Sequence, residues 1–223
     1  MKSKSPIDKA KIESAIQHLA EDRAFVRKLL WWLRYGNASE RWFQFELAYQ
    51  LDRITGDRYA VACEHRRMDI ALFSLDAGAE KANTPAAGVE VHWFGNWAVN
   101  RAQLDELHED IAAVDTYIFP AVALAACLFV KPTTRKNTGK PPTPYSWLAK
   151  HFELGREGVA SIAQLKSVLH KTIGQPLVDI ATVWLEVPQD LQGAIESLQL
   201  HTVGYYNPQA VAALAQERKA ATA

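Results

Sequence analysis

Two stretches decide the fold: Arg66-Arg67-Met68-Asp69-Ile70-Ala71-Leu72 and Gly88-Val89-Glu90-Val91-His92-Trp93-Phe94. Both are short, rich in strand-favouring residues and bounded by polar links. Asp69 stands at the start of the first, and Glu90 lies inside the second among apolar neighbours. Side chains alternate along a strand, so Glu90 and His92 share a face opposite Val89 and Val91. A carboxylate set into an apolar strand is costly to bury unless it is paired or holds a metal. If the two strands are neighbours, Asp69 and Glu90 make a hard-oxygen site of the kind Mg²⁺ or Mn²⁺ prefers.

Working outward, the texture predicts strands over 59–63, 69–75 and 88–94. Asp76-Ala77-Gly78 marks a turn, and a polar hairpin tip over 80–85 carries Lys81. Downstream, Leu104, Leu107, Ile111 and Val114 recur at helical spacing and predict a helix over 102–117. Pro120 ends it, and the apolar run over 122–130 reads as a buried central strand. Upstream, Ser39 caps a helix whose apolar face carries Trp42, Phe45, Ala48, Tyr49 and Leu51, with Glu46 beside that face. Two earlier helices are expected over 7–20, capped by Ser5-Pro6, and over 22–34, closed by Tyr35-Gly36-Asn37. From residue 38 the order is therefore helix, strand, strand, strand, helix, strand. Beyond the chain's clearest compositional break come a helix over 161–172, a strand over 180–187, a short helix over 189–197, a strand over 200–206 and a helix after Pro208.

Composition bounds the rest. The 223 residues are 48% apolar, enough for a sizeable core in one domain with additions. Lys+Arg and Asp+Glu balance at 25 each, so nucleic-acid contact would need a local patch. Arg66 and Arg67 supply one candidate. Another is the acid-free, proline-rich stretch carrying Lys131, Arg135 and Lys136. Cys63 and Cys127 sit in apolar runs with no CxxC spacing and read as free thiols in a reducing compartment. The polar segment over 1–7 has no apolar core of a signal peptide, and no apolar run is long enough to span a bilayer. A soluble cytoplasmic protein with no membrane partner is expected. Walker, GxGxxG, GxSxG and HExxH motifs are absent.

Asp69, Glu90 and Glu46 in this order of elements resemble the PD-(D/E)xK nuclease superfamily, the restriction-endonuclease-like fold. The resemblance covers residues 38–130, including the helix with Leu104, Leu107 and Asp110 and the strand ending at Val130. It implies an α/β fold with an αβββαβ core and a mixed central sheet. The domain plan becomes an N-terminal helical extension (1–37), the nuclease-like core (38–130), a basic linker (131–146) and a C-terminal α/β addition packed on the core (147–223). It implies Mg²⁺ (or Mn²⁺) bound by Glu46, Asp69 and Glu90, with catalysis by Asp69, Glu90 and His92. Arg66, Arg67, Lys131, Arg135 and Lys136 would contact nucleic acid, with DNA expected ahead of RNA, and a homodimer is left open. The implied activity is metal-dependent endo- or exonucleolytic hydrolysis of phosphodiester bonds. Two departures stand out: Met68 replaces a frequent proline, and His92 replaces the motif lysine. The alternative is a catalytically degenerate module that binds nucleic acid or a protein partner. Each residue also has a plainer reading: Glu46 as a solvated helix residue, Asp69 as a partner of Arg66 or Arg67, His92 as a packed sheet histidine.

Overall fold

The computed structural model describes residues 7–35, 39–76, 83–133, 152, 154 and 158–221. Three helices come first: α1 (Lys9–Glu21), α2 (Arg23–Tyr35) and α3 (Ser39–Thr55). Strands β1 (Tyr59–His65), β2 (Met68–Ser74) and β3 (Ala87–Gly95) follow, then α4 (Arg101–Asp115) and β4 (Ala121–Pro132). The chain closes with α5 (Ile162–Ile173), β5 (Val178–Leu185), β6 (Ile195–Tyr206) and α6 (Pro208–Ala221).

All six strands join one mixed sheet in the order β1-β2-β3-β4-β6-β5. β1, β2 and β3 form an antiparallel meander, while β4 lies parallel to β3, with α4 as the crossover between them. β6 and β5 then add antiparallel beyond β4. The expected C-terminal addition is thus not a lobe laid on the core; it extends the same sheet by two strands.

Alternation along β3 and β4 divides the core in two. Val89, Val91 and Trp93 with Val122, Leu124, Ala126 and Leu128 face the layer of α1, α2 and α3. Phe94 with Ala121, Ala123, Ala125, Cys127 and Phe129 faces α4 and α5. β3 and residues 121–130 of β4 are buried on both sides, which is why 121–130 reads as a continuous apolar run and β3 is apolar apart from Glu90 and His92. Cys127 is buried, Cys63 half-buried, and both are free.

Three local expectations change. Asp8, not Ser5, caps α1, its Oδ1 accepting from Lys11 N at 2.8 Å; Ser5 and Pro6 lie outside the described residues. Gly36, Asn37 and Lys81 also lie outside them. The helix expected over 189–197 is a single turn, Gln189–Leu191, because β6 begins at Ile195. Pairing of Ile195 with Pro132 and Ser197 with Lys131 draws that segment into the ladder, so long-range pairing outweighs its local helical pattern. The apolar face expected on α3 is only partly buried: Phe45 and Tyr49 are exposed, whereas Trp42 is half-buried and stacks on Phe25 at 5.0 Å. Among the described residues no helix is long and apolar enough to cross a membrane.

The fully buried Asn207 locks the end of α4, the start of β4 and the start of α6 together. Its Oδ1 accepts from Ala121 N and Ala210 N, while its Nδ2 donates to the carbonyls of Val114, Tyr117 and Phe119. Removing the amide strands several buried backbone groups at once. We expect Asn207→Leu to lower stability by about 3 kcal/mol in a denaturant titration. A loss below about 1 kcal/mol would show that these groups find other partners.

Candidate functional site

The site forms where β2 parts from β3. Their pairing runs from Leu72↔Ala87 to Ile70↔Val89, so the next step places Asp69 opposite Glu90. There the backbone ladder gives way to two reciprocal side-chain bonds. Asp69 Oδ2 accepts from Val91 N at 2.7 Å, and Glu90 Oε2 accepts from Asp69 N at 3.2 Å. β3 continues to Gly95, leaving its next outward N–H, at Trp93, without a strand partner.

Helix α3 fills the fork. Glu40 Oε2 accepts from Trp93 N at 3.0 Å, and one turn later Gln44 Nε2 donates to the Asp69 carbonyl at 2.6 Å. Both side chains belong to the stripe Glu40, Phe43/Gln44, Leu47, Leu51, which meets the sheet at helical spacing. Glu46 is off that stripe. Its carboxylate pairs with Lys28 of α2 at 3.2 Å, so the helix acid at the fork is Glu40 rather than Glu46. Following the buried stripe back one further turn from Leu47 through Gln44 identifies Glu40; choosing the acid nearest the helix centre does not.

From the opposite layer, α4 contributes Asp110. His92 sits between the layers with only 4% of its side chain exposed. Its Nδ1 lies 3.4 Å from Asp110 Oδ2 and 3.7 Å from Glu40 Oε2. Its Nε2 is buried with no hydrogen-bond partner among the described residues. Tyr117, just after α4, donates its hydroxyl to Glu90 Oε1.

Four carboxylates thus crowd one edge of β3, and among the described residues no lysine or arginine pairs with Asp69, Glu90 or Asp110. Burial pushes the Glu90 carboxyl up to about 7; Tyr117 opposes this, and the negative charge of Asp69 adds to it. Asp69 is raised to about 6, again chiefly by burial, with Asp110 and Glu40 adding repulsion and the Val91 N–H opposing. Glu40 is raised too, first by burial. Burial and its bond to Glu90 drive the Tyr117 phenol well above the ordinary range. Asp69 and Glu90 offer hard-oxygen donors suited to a small divalent cation. As the side chains stand, no three of the described His, Cys, Asp and Glu residues enclose an ion-sized space; the carboxylates are turned to backbone N–H groups instead.

The remaining expectations divide. Arg66 and Arg67 form the exposed two-residue tip between β1 and β2, with φ of 51° and 72°, a left-handed pair of the type I′ kind. Neither pairs with Asp69. Lys131 is held by Glu196 at 2.5 Å, and Arg135 and Lys136 lie outside the described residues. Trp93, Phe94 and Trp97 serve packing: Trp93 meets Phe43, Phe94 meets His92, and Trp97 meets Phe152. Comparison with known protein families, curated proteins and solved structures finds no match to this chain.

The raised carboxyls set a pH dependence. Between their unfolded values near 4 and their folded values near 6 and 7, the native state holds more protons than the unfolded chain. Stability therefore falls as pH rises through that window. Glu90→Gln keeps an acceptor for Tyr117 while removing the buried charge. We expect the variant to melt higher than wild type at pH 8, with the gap closing towards pH 5, in thermal unfolding across pH. A wild-type melting temperature that rises from pH 5 to pH 8 in step with the variant would contradict this.

Proposed function

We propose that the chain is a divalent-metal-dependent nuclease of the PD-(D/E)xK type. The observation that carries this reading is the meeting of Asp69 and Glu90 on adjacent strands at the β2–β3 fork, with Glu40 from the preceding helix closing the same edge. The connectivity from α3 to β4 supports it: an antiparallel three-strand meander, a crossover helix and a fourth strand parallel to the third. The two further strands of the sheet, β6 and β5, add beyond β4 and leave that order undisturbed.

In this reading Asp69 and Glu90 hold Mg²⁺ or Mn²⁺, and Glu40 takes the part first expected of Glu46. The bound ion would supply Lewis acidity towards a phosphate oxygen and lower the pKa of a coordinated water. The crowding of buried and half-buried acids, with no lysine or arginine paired to Asp69, Glu90 or Asp110 among the described residues, is what such an ion would relieve. His92 stands where the family places lysine. Asp110 and Glu40 face its Nδ1, which leaves the unpartnered Nε2 as the group to orient the attacking water. Tyr117 fixes one oxygen of Glu90 and so limits how that carboxylate turns. The substrate is a nucleic-acid phosphodiester.

The test is cleavage of single- and double-stranded DNA and RNA with Mg²⁺ or Mn²⁺ present. Asp69→Asn and Glu90→Gln should each lower the rate at least about a hundredfold. Glu40→Gln should lower it roughly tenfold, whereas Glu46→Ala should stay near wild type. Cleavage that persists unchanged in Glu90→Gln rules out this site. Divalent-ion binding without cleavage would favour the module that binds nucleic acid without cutting it.

A further inference from the structure

Helix α3 carries a second, outward face that the site does not use. Arg41, Phe45, Tyr49 and Arg53 follow one another at four-residue spacing along it. All four are exposed: Arg41 by 69%, Phe45 by 47% and Tyr49 by 58%, with Arg53 beyond them. A helix rises 1.5 Å per residue, so the stripe repeats about every 6 Å. Two large rings open to solvent on one helix face, Tyr49 with a guanidinium over it and Phe45 four residues from another, are unusual for a surface that touches nothing.

We infer that this stripe is a path for single-stranded nucleic acid, with bases stacking on Phe45 and Tyr49 and phosphates meeting Arg41 and Arg53. Arg53 lies over the Tyr49 ring at 5.9 Å, a cation–π contact that sets a guanidinium beside the ring, where a stacked base would bring its phosphate. Arg41 bonds Glu64 at 3.5 Å, which ties the stripe to β1 just before the Arg66-Arg67 tip. Charge complementarity favours a polyanion. Arg66 and Arg67 follow Glu64 by two and three residues at the Arg41 end, and Arg58, whose N–H donates to the Thr55 carbonyl, follows the helix at the Arg53 end; the acids nearby are Glu64, already engaged by Arg41, and Asp52 and Asp57. Exposed rings select unpaired strands, because a duplex buries its base faces in the stack while a single strand offers them. The stripe starts beside Glu40 in sequence, roughly 100° round the helix from it, so a strand lying along this end of α3 would bring one end near the acidic fork. That last step deepens the nuclease reading and rests on it; binding along the stripe does not.

The experiment uses the full chain in EDTA at low salt, with fluorescently labelled oligo(dT) and oligo(rU) of roughly twelve nucleotides followed by anisotropy. Phe45→Ala and Tyr49→Ala should each weaken binding about tenfold, with Tyr49→Phe restoring it. Arg41→Ala and Arg53→Ala should each reduce the steepness of the salt dependence. A duplex of the same length should bind more weakly than either strand and be insensitive to the ring variants. Ultraviolet cross-linking of wild type to oligo(dT) should place the adduct on the peptide containing Phe45 and Tyr49, which tests the stripe even if a variant folds poorly. Absence of single-strand binding, alanine variants that bind as wild type, or ring variants that alter only self-association would each overturn the inference. Because EDTA removes cleavage from the readout, strand binding by the stripe in a protein that never cuts would sustain the inference while defeating the hydrolytic reading.

Discussion

The site depends on one constraint: β3 is longer than the part of it that β2 can pair. Past Val89 the outward N–H groups of Val91 and Trp93 have no strand partner among the described residues. Buried backbone donors are costly to leave alone, and here carboxylates take them. Asp69 serves Val91, and Glu40 serves Trp93. The same two bonds that finish the sheet therefore gather acids at its edge. Gln44 completes the arrangement by holding the Asp69 carbonyl, so α3 grips both prongs of the fork.

This solution satisfies the backbone but leaves charge. Glu90 and Asp69 are both pushed towards neutrality by burial, and Asp110 adds to the repulsion from the other layer. A protein selected for stability alone would place amides at these positions, which accept the same hydrogen bonds without the buried charge. Keeping acids at a cost to stability is the pattern expected where the charge has work to do, such as holding a cation. Tyr117 belongs to the same account. Asn207 binds its carbonyl, and its hydroxyl binds Glu90, so the clamp at the end of α4 reaches the acid edge through one residue.

Much of the fold was legible because its elements are strongly patterned. Ile12, Ile16 and Leu19 marked α1, Leu104 through Val114 marked α4, and the unbroken apolar run of β4 announced a strand buried on both faces. The pairing of Asp69 with Glu90 was legible because an acid among strand apolars needs a partner. The identity of the helix acid was not. Choosing between Glu40 and Glu46 requires knowing which stripe of α3 meets the sheet, and the wide aromatic face, with Phe45 and Tyr49 turned to solvent, pointed the wrong way. The 189–197 segment was misread for a related reason: Ile195 and Ser197 are strand residues only because β4 extends far enough to pair with them.

The central claim is that the fork between β2 and β3 holds a divalent cation, and Mn²⁺ offers the most direct test because it broadens nuclear resonances near it. In amide proton–nitrogen spectra at pH 8, substoichiometric Mn²⁺ should broaden Asp69, Glu90 and Val91 first, and the effect should vanish in Glu90→Gln. Broadening centred elsewhere, or persisting unchanged in that variant, would contradict the account.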